Sequence, residues 1–575
     1  MFQNLLSEDL NLPGLPTDVR ELQVMILDFY KKFEELEKKY QCYEAENKVL
    51  RERVQLLVNQ IFGRKSEKIH LLLDDNFRQL SLFSDSEEPG KVGIGIGIED
   101  TDIEGNEVVI AGYKRKKRGR RALPEELPRV EIIHDIEEKE KICGCGCAMS
   151  RIGEEVSEQL EMQPARFLVV RNIRPKYACR NCEGLEKVEG ERTVKISAPP
   201  LQLIPKSICT PSLLSHLFVS KFCDGLPFYR QEGLFKRIGF ELSRTTMCTW
   251  AMKVNKKLEP LIELLGLEIL SGPSVNIDET PVQVLREPGR SFETKSFMWV
   301  FRGGTPDKPI ILYRYKESRS GDVAAKFLGD YQGYVQTDGY GGYDFLDNRK
   351  GIIHVGCWAH SRRKFLEVIR ASVKVKGKGK GNGNCEGKGE GSGKAEEGLR
   401  IIQKLYAVEK NAIKQGLSPE MIYIERQEKS KPILDDFKLW LEEIAPTVPV
   451  KSLLGKALTY TLSQWHRLIR YLENGIIRID NNLVENDIRP FVLGRKNWLF
   501  FDQPEGATAG ANLYSLIETA KANGLEPYQY FCFLFDKLPL VASEAHLKAL
   551  LPQNLTPEIL EIHQLEYQER WKPKK

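Results

Sequence analysis

Three acidic residues, Asp278, Asp338 and Glu485, lie in settings that suit metal-ion chemistry. Asp278 falls within an apolar, strand-like run (VNIDETPVQV), where a charged side chain is costly unless it binds something. Asp338 follows a second apolar segment that leads into a glycine-rich turn (YVQTDGYGGY). Glu485, in RIDNNLVENDIRP, lies on a predicted helix that Asn481 or Asn482 would cap.

Carboxylates that converge from two strand ends and one helix form the ligand set of a two-metal centre. In such a centre the cations sit about 3.5–4 Å apart, and they activate the attacking oxygen and stabilise the leaving oxygen. Hard oxygen ligands favour Mg²⁺ or Mn²⁺. On the pattern alone, surface or helix-capping acids are the favoured interpretation, and a site for two Mg²⁺ (or Mn²⁺) ions at these three residues is the alternative.

A cysteine cluster predicts a second metal site. Cys179 and Cys182 have the two-residue gap that is usual for a zinc-binding turn, and an earlier turn offers Cys143, Cys145 and Cys147. Four thiolates would leave no open coordination position, so we expect a structural Zn²⁺ bound by four of these five residues. Spacing favours Cys143 with Cys147 as the first pair, and unliganded buried thiols are the alternative.

A basic run precedes the cysteine cluster. The formal net charge of the chain is only +4, so overall charge does not indicate a nucleic-acid partner. Basic residues concentrated in one run can follow a phosphate backbone by displacing its condensed counterions. We therefore expect DNA contacts here, with a solvated linker as the alternative, from Lys114, Arg115, Lys116, Lys117, Arg118, Arg120 and Arg121.

The N-terminal region predicts a coiled coil. Apolar residues recur at alternating steps of four and three from Leu22 to Ile61, with Asn47 in the one polar position. This period of 3.5 residues predicts a left-handed supercoil. A single Asn at an a position favours a parallel two-stranded assembly, so we expect a homodimer. A helix packed into a bundle is the alternative.

From about residue 272 the pattern becomes α/β. Five strands are predicted over 275–285, 297–302, 310–315, 333–337 and 352–356, followed by a helix over 358–372. Helices are also predicted over 208–265, where Ser243 would cap the second part of a helix-turn-helix or a plain helical hairpin. Further helices should run from Glu396 to about 474 and from Leu513 onward. The glycine-rich tract 377–393 cannot bury a core and predicts a surface loop.

Composition excludes some classes of protein. No run of eighteen uncharged apolar residues occurs, which argues against a membrane span, and the N-terminus lacks the features of a secretory signal. Twelve cysteines without such a signal do not indicate a secreted disulfide framework. We therefore expect a cytoplasmic protein of several domains.

Several stretches resemble the insertion sequence 66 family of bacterial transposases, and the likeness extends over nearly the whole chain. The matches keep their order along the chain, which makes the resemblance specific. They are FGRKSEK (62–68), RPKYACRNC (174–182), IDET (277–280), TDGYGGY (337–343), CWAHSRRKF (357–365), IDNNLVENDIRP (479–490), GRKNWLFF (494–501) and SLIETAKANGLEPYQY (515–530).

The resemblance implies a ribonuclease-H-like core with a DDE triad, in which Asp278, Asp338 and Glu485 fall in the three motifs. It also implies that the helical stretch between Asp338 and Glu485 is an insertion into that core. Cys357 and His360 match a Cys-x-x-His element that several DDE transposase groups carry after the second aspartate. We interpret them as structural, with metal ligation as the alternative.

Two further implications concern DNA and zinc. Arg362, Arg363 and Lys364 follow on a basic face of the same predicted helix and could bind DNA near the site, with ordinary solvation of a helix as the alternative. Counting back from residues 152–153 in the family pattern points to Cys145 as a zinc ligand, which conflicts with the spacing preference above. The tract 377–393 departs from the family pattern inside the insertion.

Together these features predict a multidomain α/β protein with a ribonuclease-H-like catalytic core. The expected domains are a coiled coil (1–70), a linker with the basic run (71–128), a zinc-binding domain (129–200), a helical DNA-binding region (201–270), a catalytic domain (271–500) with a helical insertion at about 366–474, and a helical C-terminal region (501–575).

The function that the resemblance implies is that of an insertion-sequence transposase. It would bind element ends and catalyse Mg²⁺-dependent phosphodiester hydrolysis followed by strand transfer (transesterification). A catalytically inactive DNA-binding remnant that represses the element is the alternative. The expected partners are transposon-end and target DNA, a second copy of the chain and accessory proteins of the same element, with no membrane.

Overall fold

The structure is a computed structural model that describes residues 19–62, 169–174, 176–178, 194–196, 198–372 and 390–570. The chain divides into two compact units, one formed by Met1–Glu87 with Pro199–Lys575 and the other by Glu88–Ala198. The basic run at 114–121 and the five cysteines of the predicted zinc site lie outside the described residues. Those two predictions are therefore not tested by the fold.

The second unit contributes a short antiparallel hairpin, and the first contributes the remaining elements. In chain order they are α1 (Val19–Phe62), β1 (Lys176–Ala178), β2 (Val194–Ile196), α2 (Pro211–Phe222), α3 (Phe228–Arg237), α4 (Arg244–Ser271), β3 (Ser274–Gln283), β4 (Lys295–Thr305), β5 (Lys308–Lys316), α5 (Gly321–Leu328), β6 (Gly333–Gln336), β7 (Ile352–Val355), α6 (Trp358–Ser372), α7 (Glu390–Lys414), α8 (Pro419–Glu425), α9 (Lys431–Ile444), α10 (Leu453–Ser463), α11 (Trp465–Leu468), α12 (Asn482–Trp498), α13 (Pro504–Ala522), α14 (Pro527–Lys537), α15 (Glu544–Lys548) and α16 (Pro557–Glu569).

A five-stranded mixed sheet in the order β5-β4-β3-β6-β7 forms the centre of the first unit. Strands β3, β4 and β5 form an antiparallel meander, whereas β6 and β7 run parallel to β3. Apolar side chains such as Ile277, Val300, Leu312 and Val335 are almost completely buried in it. A sheet that is apolar on both faces needs helices on both sides, and the surrounding helices supply this cover.

Helix α13 closes one edge of the sheet by hydrogen bonding. Ser515 Oγ accepts from the backbone N–H of Tyr313 (2.8 Å), and Thr519 Oγ1 accepts from the backbone N–H of Ile311 (3.0 Å). Both amides belong to the edge strand β5, whose outward-facing polar groups would otherwise be buried without partners. The side chains of one helix thus replace a missing neighbouring strand.

The helices between β7 and α12 form a second hydrophobic core. Trp358 and Phe365 from α6 pack there with Phe437 from α9, and all three are fully buried. Apart from this cluster, the larger core unites the sheet with α2, α3, α4, α12, α13 and α14. The chain therefore builds a separate helical body, here called the helical insertion (390–474), between the sheet and α12.

Most element predictions are confirmed by the structure. All five predicted strands form, and α6 spans the residues predicted for it. Ser243 caps α4 by accepting from the N–H of Thr246 (3.2 Å), and Gly239, with φ of +84°, allows the turn that precedes it. The predicted loop at 377–393 is too long, because α7 begins at Glu390 rather than at Glu396.

Helix α1 is a single helix of 44 residues, as the heptad pattern requires. Apolar side chains at its predicted seam are exposed, among them Phe33 (59%), Leu36 (69%) and Leu50 (58%). Such a stripe is typical of a helix that packs against another helix, so the two-stranded coiled coil stays a prediction. Among the described residues, no helix is both long enough and apolar enough to span a bilayer.

Candidate active site

Strand pairing brings Asp278 and Asp338 side by side. Strands β3 and β6 are parallel neighbours in which Asn276 is aligned with Gln336, and the two aspartates each follow two residues later. The side chains of the aligned pair meet, since Asn276 Nδ2 donates to Gln336 Oε1 over 2.9 Å. Neighbouring strands are about 4.8 Å apart, so residues in the same register present their side chains to one place.

Helix α12 brings Glu485 to the same face of the sheet. Asn481 is the residue before the helix, and its Nδ2 donates to the carbonyl of Ile277 over 3.1 Å. Its Oδ1 accepts from Asn276 Nδ2 over 2.8 Å. Asn481 thus occupies the N-cap position, but the predicted side-chain cap is wrong, because the side chain binds strand β3 instead. The N–H of Glu485, one turn later, donates to the Asn481 carbonyl.

The carboxylates of Asp338 and Glu485 are close enough to Asp278 for their charges to act on it. Burial raises the pKa of Asp278 well above its ordinary value, and the negative charges of Glu279, Asp338 and Glu485 raise it further. The backbone N–H of Glu279 donates to Asp278 Oδ1 (2.8 Å), which only partly opposes this rise. The hydrogen bond that Asp278 accepts therefore does not offset the effect of burial and of the negative charges around it.

Glu279 is directed to the other side of strand β3, where it is almost completely buried. Its carboxylate accepts from Arg319 Nε and from the Tyr343 hydroxyl. Tyr343 belongs to the turn that follows Asp338, and the backbone N–H of Tyr340 in that turn donates to Asp338 Oδ1 (3.0 Å). Glu279 thus attaches the Asp338 turn to the strand that carries Asp278.

Glu485 has a cationic partner. Arg363 from α6 donates from Nη1 to Glu485 Oε1 (3.2 Å) and from Nη2 to Oε2, so both carboxylate oxygens are engaged. His360 Nδ1 lies 3.8 Å from Glu485 Oε1, and burial lowers the pKa of this imidazole. Of the three predicted DNA-binding residues on α6, Arg363 therefore lies directly at the acidic cluster.

The other two basic residues of α6 have different surroundings. Arg362 is only 8% exposed, so it does not contribute to an exposed basic face. Successive residues of a helix point about 100° apart, which is why three adjacent residues cannot share one face. Arg362 is therefore not part of the predicted basic face, and its contact with DNA stays a prediction. Lys364 is half-buried, with Nζ 4.6 Å from the centre of the Tyr460 ring.

Cys357 has the environment of a structural residue. Its Sγ accepts from the backbone N–H of Asn481 (3.2 Å), and the residue is only 1% exposed. Ligand atoms of Cys357, His360 and Glu485 lie within 4.8 Å of one another, which is a geometry that could bind a metal ion. Burial, however, raises the pKa of the Cys357 thiol, and a metal needs the thiolate. We therefore favour the structural interpretation.

Several residues that build the site were not found from the sequence. Asn276 and Gln336 are polar positions within the strands, and they join β3, β6 and the start of α12. Gln336 also donates to the carbonyls of Gly356 (3.1 Å) and Arg478 (2.9 Å). The signal that could have revealed them is a buried polar residue within an apolar strand, because such a group needs a partner.

Comparison with known proteins identifies the family. The profile described as Transposase IS66 family matches residues 206–509, more than half of the chain, and this range contains Asp278, Asp338 and Glu485. The chain belongs to the IS66 family of transposases. Two further IS66 profiles match: the zinc-finger binding domain of transposase IS66 at residues 140–183, and the IS66 C-terminal element at 515–553. A fourth, described as Transposase C of IS166 homeodomain, matches residues 49–132.

Full-length relatives support the membership of this IS66 chain. The protein y4jD of Sinorhizobium fredii (strain NBRC 101917 / NGR234) is 31% identical over 554 residues, covering 94% of this chain and 97% of its own. The protein y4qI of the same organism is 30% identical over 580 residues, covering 96% and 99%. Both are described as uncharacterized. The IS66 zinc-finger match covers all five cysteines of the predicted zinc site.

Proposed function

We propose that this IS66 transposase cleaves DNA at the ends of its element and joins them to target DNA, using two divalent cations bound by Asp278, Asp338 and Glu485. The observation that supports the proposal is electrostatic: the negative charges of Asp338 and Glu485 both raise the pKa of Asp278. Surface acids or capping acids would not be gathered from two strands and a helix in this way.

The residues present fit a pair of hard cations. The donors are carboxylate oxygens, which Mg²⁺ and Mn²⁺ prefer over softer ligands. A raised pKa at Asp278 means that the ionised cluster is unfavourable on its own, and divalent cations would offset that charge. When bound, such a pair supplies an activated attacking oxygen and a stabilised leaving oxygen.

The protein's own groups would supply positioning. Asn481 fixes the start of α12 on β3, and Glu279 fixes the Asp338 turn, so the three carboxylates are attached to a rigid sheet. Arg363 stands beside Glu485 and can exchange that partner for a DNA phosphate. No covalent protein–DNA intermediate is needed, because orientation and charge neutralisation supply most of the catalysis of phosphoryl transfer.

We infer that the five-stranded sheet is a ribonuclease-H-like core. Its support is the combination of three antiparallel strands with two parallel strands beside the first of them, which matches the implication of the family resemblance. The positions of the carboxylates also support this fold, because the two aspartates come from the adjacent strands at the centre of the sheet. The helical insertion then lies between the second aspartate and the glutamate.

We also propose the remaining roles that the family membership suggests. The basic run at 114–121 and the zinc-binding domain would bind the element ends, and α1 would form a parallel two-stranded coiled coil with a second copy. Exposed seam residues such as Leu36 and Leu50 support the last point. The zinc shell would be completed by Cys179, Cys182 and two of the three earlier cysteines.

The test is an end-cleavage and strand-transfer assay on duplexes taken from the DNA that flanks the gene. We expect the wild-type protein with Mg²⁺ to free a 3′-hydroxyl at a defined position and to join it to a second duplex. Asp278→Asn, Asp338→Asn and Glu485→Gln should abolish both steps and keep DNA binding. Asp436→Asn, at an exposed position on α9, is the matched control and should stay active.

The outcomes separate the two candidate functions. A wild-type protein that binds the flanking DNA but never cleaves it, with Mg²⁺ or Mn²⁺, would be the DNA-binding remnant. An active Asp278→Asn variant would refute the assignment of the catalytic residue. Cleavage that all three carboxylate variants abolish, and that Asp436→Asn retains, is the result that the proposal requires.

A further inference from the structure

A network of hydrogen-bonded side chains, buried at every member except Asp347, ends at the residue before Asp338. Thr337 Oγ1 lies 2.8 Å from His354 Nε2, and His354 Nδ1 lies 2.8 Å from Asp347 Oδ1. Arg467 donates from Nε to Asp347 Oδ1 over 3.0 Å. Four side chains from four different segments therefore connect in one line.

The protonation states of the side chains in this network can be assigned. Burial lowers the pKa of His354 to about 4, and the positive charge of Arg467 acts in the same direction. Burial alone would raise the pKa of Asp347, but hydrogen bonds from Arg467 and His354 outweigh it and lower the pKa to about 2. Near neutral pH the imidazole is thus neutral and the carboxylate ionised. His354 Nδ1–H therefore donates to Asp347, and His354 Nε2 accepts from the Thr337 hydroxyl.

These assignments leave Thr337 with two acceptors near its hydroxyl. Its hydroxyl carries one hydrogen, and the carbonyl of Asp338, 2.9 Å away, is the second acceptor within reach. Its backbone N–H donates to the Val355 carbonyl over 3.1 Å. Both the main chain and the side chain of Thr337 are therefore held immediately before Asp338.

The arrangement of Thr337, His354 and Asp347 resembles a nucleophile, base and orienting acid, but its hydroxyl and imidazole are closed to solvent. Thr337 is 0% exposed and His354 is 5% exposed, so no substrate reaches the hydroxyl. Burying polar side chains costs free energy unless every one of them is hydrogen-bonded. A network of this kind therefore indicates a role other than catalysis. The network ends next to Asp338, which indicates a role in holding that residue.

The end of the network that is farthest from Asp338 belongs to the helical insertion. Arg467 lies on α11, and its side chain is only 5% exposed. Besides Asp347, its Nη2 binds Asp344 Oδ1 (2.7 Å), and its carbonyl accepts from the N–H of Gly356 (3.0 Å). One residue of the insertion is thus bound both to the segment after Asp338 and to the end of β7.

We propose that this hydrogen-bonded network of Arg467, Asp347, His354 and Thr337 positions Asp338 for metal binding. The network also couples the position of Asp338 to the helical insertion. The proposal rests on the proposed function, because it assumes that Asp338 is a metal ligand. These four residues are positioning residues, since none of them would touch DNA or metal. The insertion would then do more than enlarge the protein, because it holds one of the three carboxylates in place.

The test compares a variant that removes the hydroxyl with one that keeps it. Thr337→Val removes it at nearly constant volume, and Thr337→Ser retains it. Thr461→Val is the matched control, because Thr461 is also 0% exposed and pairs with another hydroxyl, Ser361 Oγ, at 2.7 Å. We would measure end cleavage against Mg²⁺ concentration, and amide hydrogen exchange of residues 337–343 in metal-free protein.

We expect Thr337→Val to raise the half-saturating Mg²⁺ concentration by about tenfold, as is common when a group that orients a metal ligand is lost. The rate at saturating Mg²⁺ should change little, and residues 337–343 should exchange faster. Thr337→Ser and Thr461→Val should behave like the wild type. Because Arg467 acts through the same chain, the effects of Arg467→Lys and Thr337→Val should not add in the double variant.

Failure of this proposal can be distinguished from failure of the proposed function. If the wild type cleaves DNA and Thr337→Val matches Thr461→Val in both measurements, the positioning role is refuted while the catalytic assignment survives. If the wild type does not cleave, the catalytic assignment fails, and hydrogen exchange still decides whether Thr337 and Arg467 act on the Asp338 segment. Additive effects in the double variant would refute the coupling.

Discussion

Arg363 binds both carboxylate oxygens of Glu485, with Nη1 3.2 Å from Oε1 and Nη2 bonded to Oε2. The two oxygens that would coordinate a metal ion are therefore engaged by a guanidinium before any ion binds. A cation and Arg363 must compete for Glu485, and a DNA phosphate is the natural second partner for the released arginine. Substrate and metal binding would thus favour each other.

This competition predicts the effect of removing the guanidinium. Arg363→Gln should lower the half-saturating Mg²⁺ concentration by about two- to fivefold, the range expected for a partly exposed ion pair. Mn²⁺ binding to DNA-free protein, followed by electron paramagnetic resonance, would measure this directly. The same variant should bind DNA more weakly, with a smaller dependence on salt. Weaker Mn²⁺ binding in the variant would contradict the competition.

A second prediction concerns the stability of the metal-free protein. Burial and neighbouring charges raise the pKa of Asp278, so the folded state binds this proton more tightly than the unfolded state does. The associated stability is present below the unfolded pKa of about 3.9 and is lost as pH rises through the folded value. Asp278→Asn removes the charge and should therefore raise Tm at pH 7.

The measurement is Tm of the wild type and Asp278→Asn at a series of pH values in buffer without divalent cations. The difference in favour of the variant should be smallest near pH 4 and should grow as pH increases. Taking the difference cancels the contributions of other carboxylates, such as Asp347, whose pKa is lowered to about 2. A wild type that is the more stable protein at pH 7 would show that Asp278 is not destabilised by its neighbours.

A third prediction concerns Asn481, which joins α12 to β3. Asn481→Ala removes the bonds to the Ile277 carbonyl and to Asn276, and leaving those buried groups unpaired should cost about 1–3 kcal/mol. Misplacement of Glu485 should slow end cleavage by about tenfold or more, with DNA affinity unchanged. Asn497→Ala, at an exposed position of the same helix, is the control. Equal rates for the two variants would show that Asn481 does not position Glu485.

A fourth prediction tests the coiled coil through the mass of the protein in solution. Leu36→Glu places a charge in the apolar seam of α1, where it would be buried against the partner helix, and should convert a dimer to a monomer. Lys38→Glu changes the charge at an outward-facing heptad position and should leave the dimer intact. Light scattering after gel filtration distinguishes the two. A wild type that is already monomeric would contradict the dimer.

A fifth prediction identifies the zinc ligands by metal content. Cys179→Ser and Cys182→Ser should each abolish bound zinc, because both members of the second pair are needed for four thiolates. Among serine variants of Cys143, Cys145 and Cys147, one should retain zinc, since only two of the three are ligands. Elemental analysis of purified protein decides this. Full zinc content in Cys179→Ser would refute the site.

The sequence predicted the elements of the site better than the contacts between them. Strand β3 and helix α12 were recognisable because apolar periodicity is a local property of the chain, and each carries one proposed ligand. The hydrogen bond between Asn276 and Asn481 joins residues 205 positions apart, so no local sequence pattern predicts it. The same holds for His354, whose partners come from separate segments.

Burial was the second property that local patterns missed. Arg362 and Arg363 are adjacent on α6 and chemically identical, yet Arg362 is buried and Arg363 reaches Glu485. Which side of a helix faces the core depends on the helices packed against it, and the sequence gives that packing only through apolar spacing. A cluster of basic residues therefore indicates DNA binding less reliably on a packed helix than in a linker.

The most direct test of the two-cation proposal is a crystal structure of the protein with Mn²⁺ and uncleaved end DNA, analysed by anomalous scattering. We predict two Mn²⁺ peaks about 3.5–4 Å apart, coordinated by Asp278, Asp338 and Glu485. Two outcomes would contradict the proposal: no peak at these carboxylates, or a single ion bound by Cys357, His360 and Glu485, whose ligand atoms already lie within 4.8 Å of one another.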